Sequence, residues 1–162
     1  MAHTITWLAN TWLSSHMRDL KWLWPTCETL HFIGLSLLIG GAGLFDLRLM
    51  GFMRRVPVSA VRDFMPYAIV GFVLNLVTGV AFFVMMPAQY AYSLTWYAKL
   101  LFIVIAGLNA MLFETTLGTK VLTLGPDEDT PTSFKVVGAV SLFSWFAVLY
   151  CGRMLPYLGT GN

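Results

Sequence analysis

The sequence contains very little charge for its length. Charged residues make up 11% of its 162 residues, whereas an ordinary soluble domain contains about 25%. The formal net charge is only +2 and is spread along the chain, so there is no basic stripe of the kind that binds nucleic acid. Hydrophobic residues reach 57% of the chain. The composition therefore excludes an ordinary soluble domain and a nucleic-acid-binding protein, and it indicates an integral membrane protein.

Cysteines, export signals and enzyme motifs are scarce as well. Cys27 and Cys151 are the two cysteines, and their spacing fits neither a zinc site nor a disulfide framework. The N-terminus lacks the charged region, apolar region and small-residue cleavage site of a removable signal peptide. No nucleophile with a base, no phosphate-binding loop and no repeated metal motif is present, so we do not expect an enzyme that acts on its own.

Long apolar segments dominate the rest of the chain. A helix of roughly 20 residues crosses the hydrocarbon core of a bilayer. Segments of about that length occupy residues 26–48, 65–86, 96–117 and 134–155. Because there is no strand-like alternation, the sequence predicts an all-α protein, an antiparallel four-helix transmembrane bundle over residues 25–157 with a tail at 158–162. Glycines cluster in the first span, which predicts that it is the packing centre of the bundle.

Residues 1–24 are rich in tryptophan but too polar to cross a bilayer. Trp12, His16 and Asp19 recur at helical spacing, so we expect one interfacial amphipathic helix. Pro25 is predicted to end this helix and can also start the first span, and Pro156 is predicted to close the fourth span.

The distribution of basic residues predicts the orientation in the membrane. Six Lys and Arg residues lie beside the loops that join the first span to the second and the third to the fourth, and four lie on the other side. Basic residues favour the cytoplasmic side. We therefore predict a multi-pass protein of a bacterial inner membrane with both termini in the periplasm.

Charged residues within spans are costly, so each is expected to face the bundle and to have a partner. Towards the loop side, we expect Asp46 or Glu114 to pair with Arg48. Midway along the spans, Asn75 and Asn109 are predicted to form hydrogen bonds between helices.

His31 is the only histidine within a predicted span, and Glu28 and Cys27 share its helical face. One interpretation is a structural histidine bonded to Glu28 or Arg153, with Glu28 paired to Lys99 or Arg153. The other is an axial ligand of haem b in a four-helix bundle. A second axial ligand would come from His16, His3, Met154 or another chain.

Copper is an alternative to haem in this region. Thiol, thioether and imidazole groups suit Cu(I), and Cys27, His31, Cys151 and Met154 could converge. The same cysteines could instead form a disulfide or remain buried free thiols.

Several short motifs resemble those of a bacterial family of small integral membrane proteins that has no assigned activity. The motifs lie at residues 28–35, 46–51, 71–72, 78–79, 99–100, 107–110, 145 and 152–153. The chain is also distantly similar to cytochrome b-type proteins and to the membrane domain of copper-resistance protein D. This resemblance implies a haem- or copper-linked histidine. Relatives often have a second histidine where this chain has Glu114, and that departure counts against a two-histidine haem site.

Three functions follow as hypotheses from the sequence. The chain could be a membrane subunit of a redox or respiratory-type assembly that binds haem b through His31 and transfers electrons between quinone and a periplasmic partner. It could be a structural anchor without a cofactor, or a copper-handling protein. In each case we expect the lipid bilayer and either other subunits or further copies of the chain as partners.

Overall fold

A computed structural model describes residues 2–125 and 127–158, and these residues form helices without any strand. In chain order the helices are α1 (Ala2–Ala9), α2 (Trp12–Asp19), α3 (Leu23–Leu49), α4 (Val58–Arg62), α5 (Met65–Met85), α6 (Pro87–Ala91), α7 (Leu94–Thr116) and α8 (Thr132–Leu158). One short 3-10 helix, Lys120–Thr123, lies between α7 and α8.

Four segments are long and apolar enough to cross a membrane: α3, the continuous stretch of α4 and α5, α7, and α8. Their outer surfaces expose many large hydrophobic side chains, as lipid-facing helices do. The predicted all-α, four-helix membrane architecture is thus confirmed. We call the end that carries α1, α2, α6 and the end of α8 the terminal end, and the opposite end the loop end.

The N-terminal segment forms two short helices, so the prediction of a single helix was wrong. Thr11 interrupts it, because its side chain accepts a hydrogen bond from the Ser14 N–H and caps α2. The Ser14 hydroxyl donates to the Val84 carbonyl at 2.8 Å. Arg18 donates to the Ser14 hydroxyl at 2.6 Å and to the Met85 carbonyl at 3.2 Å. These bonds tie the segment to the last turn of α5.

Pro25 starts the first span, as predicted, but it does not end the N-terminal helix, because α2 ends at Asp19; Pro156 lies inside α8 and does not close it. Pro25 is in the first turn of α3, where a missing N–H leaves no hydrogen bond unmade. Pro156 is in the last turn of α8, which continues to Leu158. A proline this close to a helix end removes one bond without preventing the next residues from staying helical.

The first span is the packing centre, as its glycines predicted. Helix α3 packs closely against both α5 and α8, and α7 packs against α8. At the α3–α5 crossing, a Cβ built on Gly71 would lie 2.5 Å from the Gly34 carbonyl oxygen. At the α3–α8 crossing, a Cβ on Gly138 would lie 2.8 Å from the Asp46 carbonyl oxygen. Only glycine lets the helices approach this closely.

One side of the bundle is open. In the described part of the chain, α5 and α7 are not among the closely packed helix pairs, although only the short helix α6 separates them along the chain. The stretch of α4 and α5 meets α7 through side chains at its two ends. At the terminal end Phe83 stacks on Trp96 with ring centroids 5.8 Å apart. At the loop end Arg62 Nη2 lies 2.8 Å from Glu114 Oε2. Between these two contacts the helices leave a gap.

Arg48 holds the loop end together. It is fully buried and donates from Nε to the Val56 carbonyl at 2.8 Å, from Nη1 to the Thr130 hydroxyl at 3.2 Å and from Nη2 to the Gly125 carbonyl at 3.4 Å. One guanidinium thereby joins the loop after α3 to the segment before α8.

The predicted pairing of Arg48 with Asp46 or Glu114 was wrong. Residues two positions apart on a helix point in different directions, so Asp46 and Arg48 do not face each other. Glu114 pairs instead with Arg62.

A small charged cluster lies on the surface of the loop end. The Asp129 carboxylate lies 2.9 Å from Lys135 Nζ and 3.1 Å from Arg54 Nη2. The hydrogen bond from Lys135 and the positive charge of Arg54 lower the pKa of Asp129 below its usual value. All three side chains are in contact with solvent, so the cluster adds little to stability.

Candidate functional site

The imidazole of His31 lies between α3 and α5 towards the terminal end. Its Nδ1 is 2.7 Å from the Thr78 hydroxyl oxygen, and its ring meets the Phe82 ring edge to face at 5.5 Å. The side chain is half-buried. Thr78, not the predicted Glu28 or Arg153, is therefore its hydrogen-bond partner.

The surroundings of Thr78 assign the position of the His31 proton. The Thr78 hydroxyl oxygen is also 2.7 Å from the Leu74 carbonyl oxygen, and two oxygens this close need a proton between them. Since a hydroxyl has one proton, Thr78 donates to Leu74 and accepts from the Nδ1–H of His31. In the neutral imidazole, Nε2 then carries the free lone pair. Histidines that bind metals are commonly held in this way, by a hydrogen bond to the other ring nitrogen.

The other predicted haem-site residues do not contact His31 as the sequence predicted. Glu28 is exposed, and its predicted ion pairs are not among those formed by the described residues. The Arg153 guanidinium lies 5.9 Å from the centre of the Tyr157 ring. His16 stacks on Trp12 with ring centroids 5.0 Å apart.

Lys99 brings a positive charge to the same level of the membrane. Its Nζ lies 5.9 Å from the centre of the Trp96 ring and 3.5 Å from where a Cβ on Gly152 would be. Within the described residues, no carboxylate forms an ion pair with it.

The predicted copper ligands are partly buried around this level. Cys27 and Cys151 are both buried free thiols, and Met154 on α8 is half-buried. No three His, Cys, Asp or Glu side chains of residues 2–125 and 127–158 are grouped as a metal ion would require. Convergence of Cys27, His31, Cys151 and Met154 on copper stays a prediction.

The two half-buried asparagines of the spans behave differently. Asn109 Nδ2 donates to the Val137 carbonyl at 3.1 Å and so joins α7 to α8, which confirms the predicted hydrogen bond between helices. Asn75 Nδ2 donates to the Gly71 carbonyl of its own helix at 3.0 Å, so the same prediction was wrong for Asn75. The Asn75 amide lies against Gly34 of α3, but its acceptor is the Gly71 carbonyl one turn earlier on α5. The sequence pattern does not reveal this choice of acceptor.

A second polar site lies nearer the loop end, around Asp46. This residue is 4% exposed and lines a cavity of about 260 Å³ whose walls come from all four spans. Ser141 of α8 lines the same cavity, and Asp46 Oδ2 has no hydrogen-bond partner. Sequence reasoning assigned Asp46 to an ion pair and missed this cavity. The signal in the sequence was the spacing of Asp46 and Arg48, which prevents them from sharing a helical face.

No protein-family model matches the chain, and no significant match was found among curated proteins or among solved structures.

Proposed function

We propose that the protein is an integral membrane subunit of a redox assembly and that His31 supplies one axial ligand to a haem b. The observation that carries the proposal is the hydrogen bond from Nδ1 to Thr78, which leaves Nε2 available. The edge-to-face contact with Phe82 restricts rotation of the imidazole. Bound haem supplies one-electron transfer.

Lys99 and His31 fit a haem that this chain holds together with another part of the assembly. The ammonium group of Lys99 is a suitable partner for a haem carboxylate, since it lacks an ion pair among the described residues. The chain has three histidines and only His31 lies in a span. The second axial ligand therefore comes from Met154, from His16 or His3 in the N-terminal segment, or from a partner chain.

The proposed location follows from the distribution of basic residues. With the loop end in the cytoplasm of a bacterium, His31 lies in the periplasmic half of the inner membrane. Electrons would then move between quinone in the bilayer and a periplasmic partner. The distant resemblance to cytochrome b-type membrane proteins also supports this assignment.

Optical spectroscopy tests the proposal directly. We expect the protein purified from haem-supplemented cells to show a Soret band that shifts on reduction with dithionite. His31→Ala should lose the band. Thr78→Val removes the acceptor that orients the imidazole and should weaken haem binding by about tenfold or more.

Two controls make the result specific. Asn109→Ala removes a hydrogen bond of another helix pair and should leave the spectrum unchanged. His16→Ala distinguishes the sources of the second ligand, because only an intrachain ligand from α2 makes the spectrum sensitive to this change. Absence of a Soret band from wild-type protein made with ample haem would rule the proposal out.

A structural anchor without a cofactor is the second candidate function. It is favoured by the internal bonding of Arg48 and Asn109, which serves assembly of the fold alone. This alternative predicts stable partner subunits that co-purify from native membranes and no dependence of that association on His31. Copper handling is tested by metal analysis of wild type and His31→Ala, which should differ in copper content if His31 is a ligand.

A further inference from the structure

We propose that the cavity around Asp46 binds the ring of a lipid-soluble quinone that enters from the bilayer between α5 and α7. The choice of a quinone rests on the proposed redox function, whereas the existence of a ligand site rests on the cavity itself. The site is separate from His31, which does not line the cavity.

The position of the cavity limits what can enter it. Its walls include Ala68 and Ile69 of α5 and Gly107 and Ala110 of α7, the two helices that are not closely packed. Ile69, Gly107 and Ala110 are exposed on the membrane-facing side, and no heavy atom lies within 4 Å of where a Cβ on Gly107 would be. The opening therefore faces lipid.

Side-chain contacts mark the two ends of this opening. The Phe83–Trp96 stack lies at the terminal end, and the Arg62–Glu114 ion pair lies at the loop end. Between these contacts the opening lies at the level of the apolar spans, where the surrounding solvent is lipid. The ligand is therefore a molecule that dissolves in the bilayer.

Only a few polar groups line the cavity, and most have partners. Asn109 uses its amide donor on Val137, and Glu114 is paired with Arg62. Asp46 Oδ2 has no partner. Among the described residues of the lining, Asp46 Oδ2 is thus the fully buried side-chain oxygen that lacks a hydrogen bond.

An unpartnered carboxyl oxygen in an apolar site is costly unless a ligand supplies a hydrogen bond. A carboxyl group accepts a hydrogen bond when ionised and donates one when protonated. It can therefore bind either the hydroxyl of a quinol or the carbonyl of a quinone. The other carboxylate of the lining, Glu114, is ion-paired with Arg62, which disfavours a metal cation held by two carboxylates.

The apolar walls suit a flat ring. Phe72 and Trp145 meet edge to face at 6.0 Å on the terminal side of the cavity, and Phe45 and Phe113 do so at 5.5 Å on the loop side. A ring placed between these aromatic pairs would contact their faces and edges. Its isoprenoid or alkyl tail would leave through the gap beside Gly107 into the bilayer.

Binding of decylubiquinone to the purified protein in phosphatidylcholine nanodiscs tests the proposal. Saturable quenching of tryptophan fluorescence reports binding, and Trp145→Phe should reduce the quenched amplitude. We expect Asp46→Asn to weaken binding by about tenfold through the changed hydrogen bond. Gly107→Leu should abolish binding by filling the opening.

The glycines of α3 provide a matched control. Gly40 also has no heavy atom within 4 Å of a built Cβ, but it does not line the cavity, so Gly40→Leu should bind like wild type. If Asp46→Asn does not fold, Ser141→Ala replaces it, because Ser141 is another polar residue of the same cavity.

Wild-type affinity in both Gly107→Leu and the Asp46 or Ser141 variant would overturn the proposal. Equal competition by decanol would overturn the choice of a quinone, since it would show a site for any alkyl chain. Repeating the titration with His31→Ala separates this proposal from the haem assignment. Quinone binding that persists without His31 supports the cavity site whatever the haem spectrum shows.

Discussion

The interface of α3 with α5 and the gap between α5 and α7 differ in how they use small residues. At the interface, Gly34 and Gly71 bring two backbones together so closely that neither position can carry a side chain. At the gap, Gly107 borders empty space. The same residue type therefore closes one side of α5 and leaves the other side open. Small residues in a membrane helix indicate close packing only where another helix is present to use them.

The largest effect is expected from substitutions that test this difference directly. A methyl group at Gly71 would overlap the Gly34 carbonyl and the Leu38 N–H, so Gly71→Ala should lower the free energy of unfolding by about 3 kcal/mol. Gly107→Ala should leave it unchanged or raise it by less than about 1 kcal/mol, because alanine favours the helix. Unfolding by sodium dodecyl sulfate in mixed micelles measures both values. Equal losses in the two variants would show that α7 packs more closely than described.

The second prediction concerns Arg48, which holds the loop end together. Arg48→Lys keeps the charge but cannot reach the Val56, Thr130 and Gly125 acceptors at once. We expect a loss of about 2 kcal/mol of unfolding free energy. Arg54→Lys is the matched control, since the Arg54 side chain is 49% exposed and its pair should contribute under about 1 kcal/mol. A loss at Arg48 no larger than at Arg54 would contradict the assigned role.

The ion pair at the loop end of the gap should contribute less to the free energy of unfolding. The side chains of Arg62 and Glu114 are 29% and 53% exposed, so a double-mutant cycle with Arg62→Gln and Glu114→Gln should give a coupling energy below about 1 kcal/mol. Added salt should reduce this energy further. A coupling that is larger and independent of salt would mean that lipid or a partner chain covers this end of the gap.

The smallest effect is expected at Asp129 on the loop surface. Its pKa is lowered from 3.8 in the folded protein by Lys135 and Arg54. The stability that this carboxylate contributes is therefore fully present above pH 3.8 and is lost as the pH falls through the lower, folded value. Asp129→Asn should melt slightly below wild type at neutral pH, and the difference should disappear on acidification. A difference that grows on acidification would have the wrong sign.

The membrane spans could be predicted closely from the sequence, but the contacts within the membrane could not. The predicted span 65–86 and the observed helix α5, Met65–Met85, differ by one residue. In contrast, the partners of Asp46 and His31 were predicted incorrectly. Hydropathy locates the spans and so indicates how deep a residue lies in the bilayer. The mean hydropathy of a span does not show which neighbouring helix a residue faces.

Some features of this protein follow from its sequence alone and others only from its tertiary structure, and the reason is physical. The number of spans and their helical form follow from the sequence alone, because a chain in lipid must satisfy its backbone hydrogen bonds within each segment. Only the tertiary structure decided that His31 faces Thr78, that Asp46 faces a cavity and that α5 and α7 are separated. These features depend on the rotation and pairing of helices, which close contacts between small residues set and which average hydrophobicity does not encode.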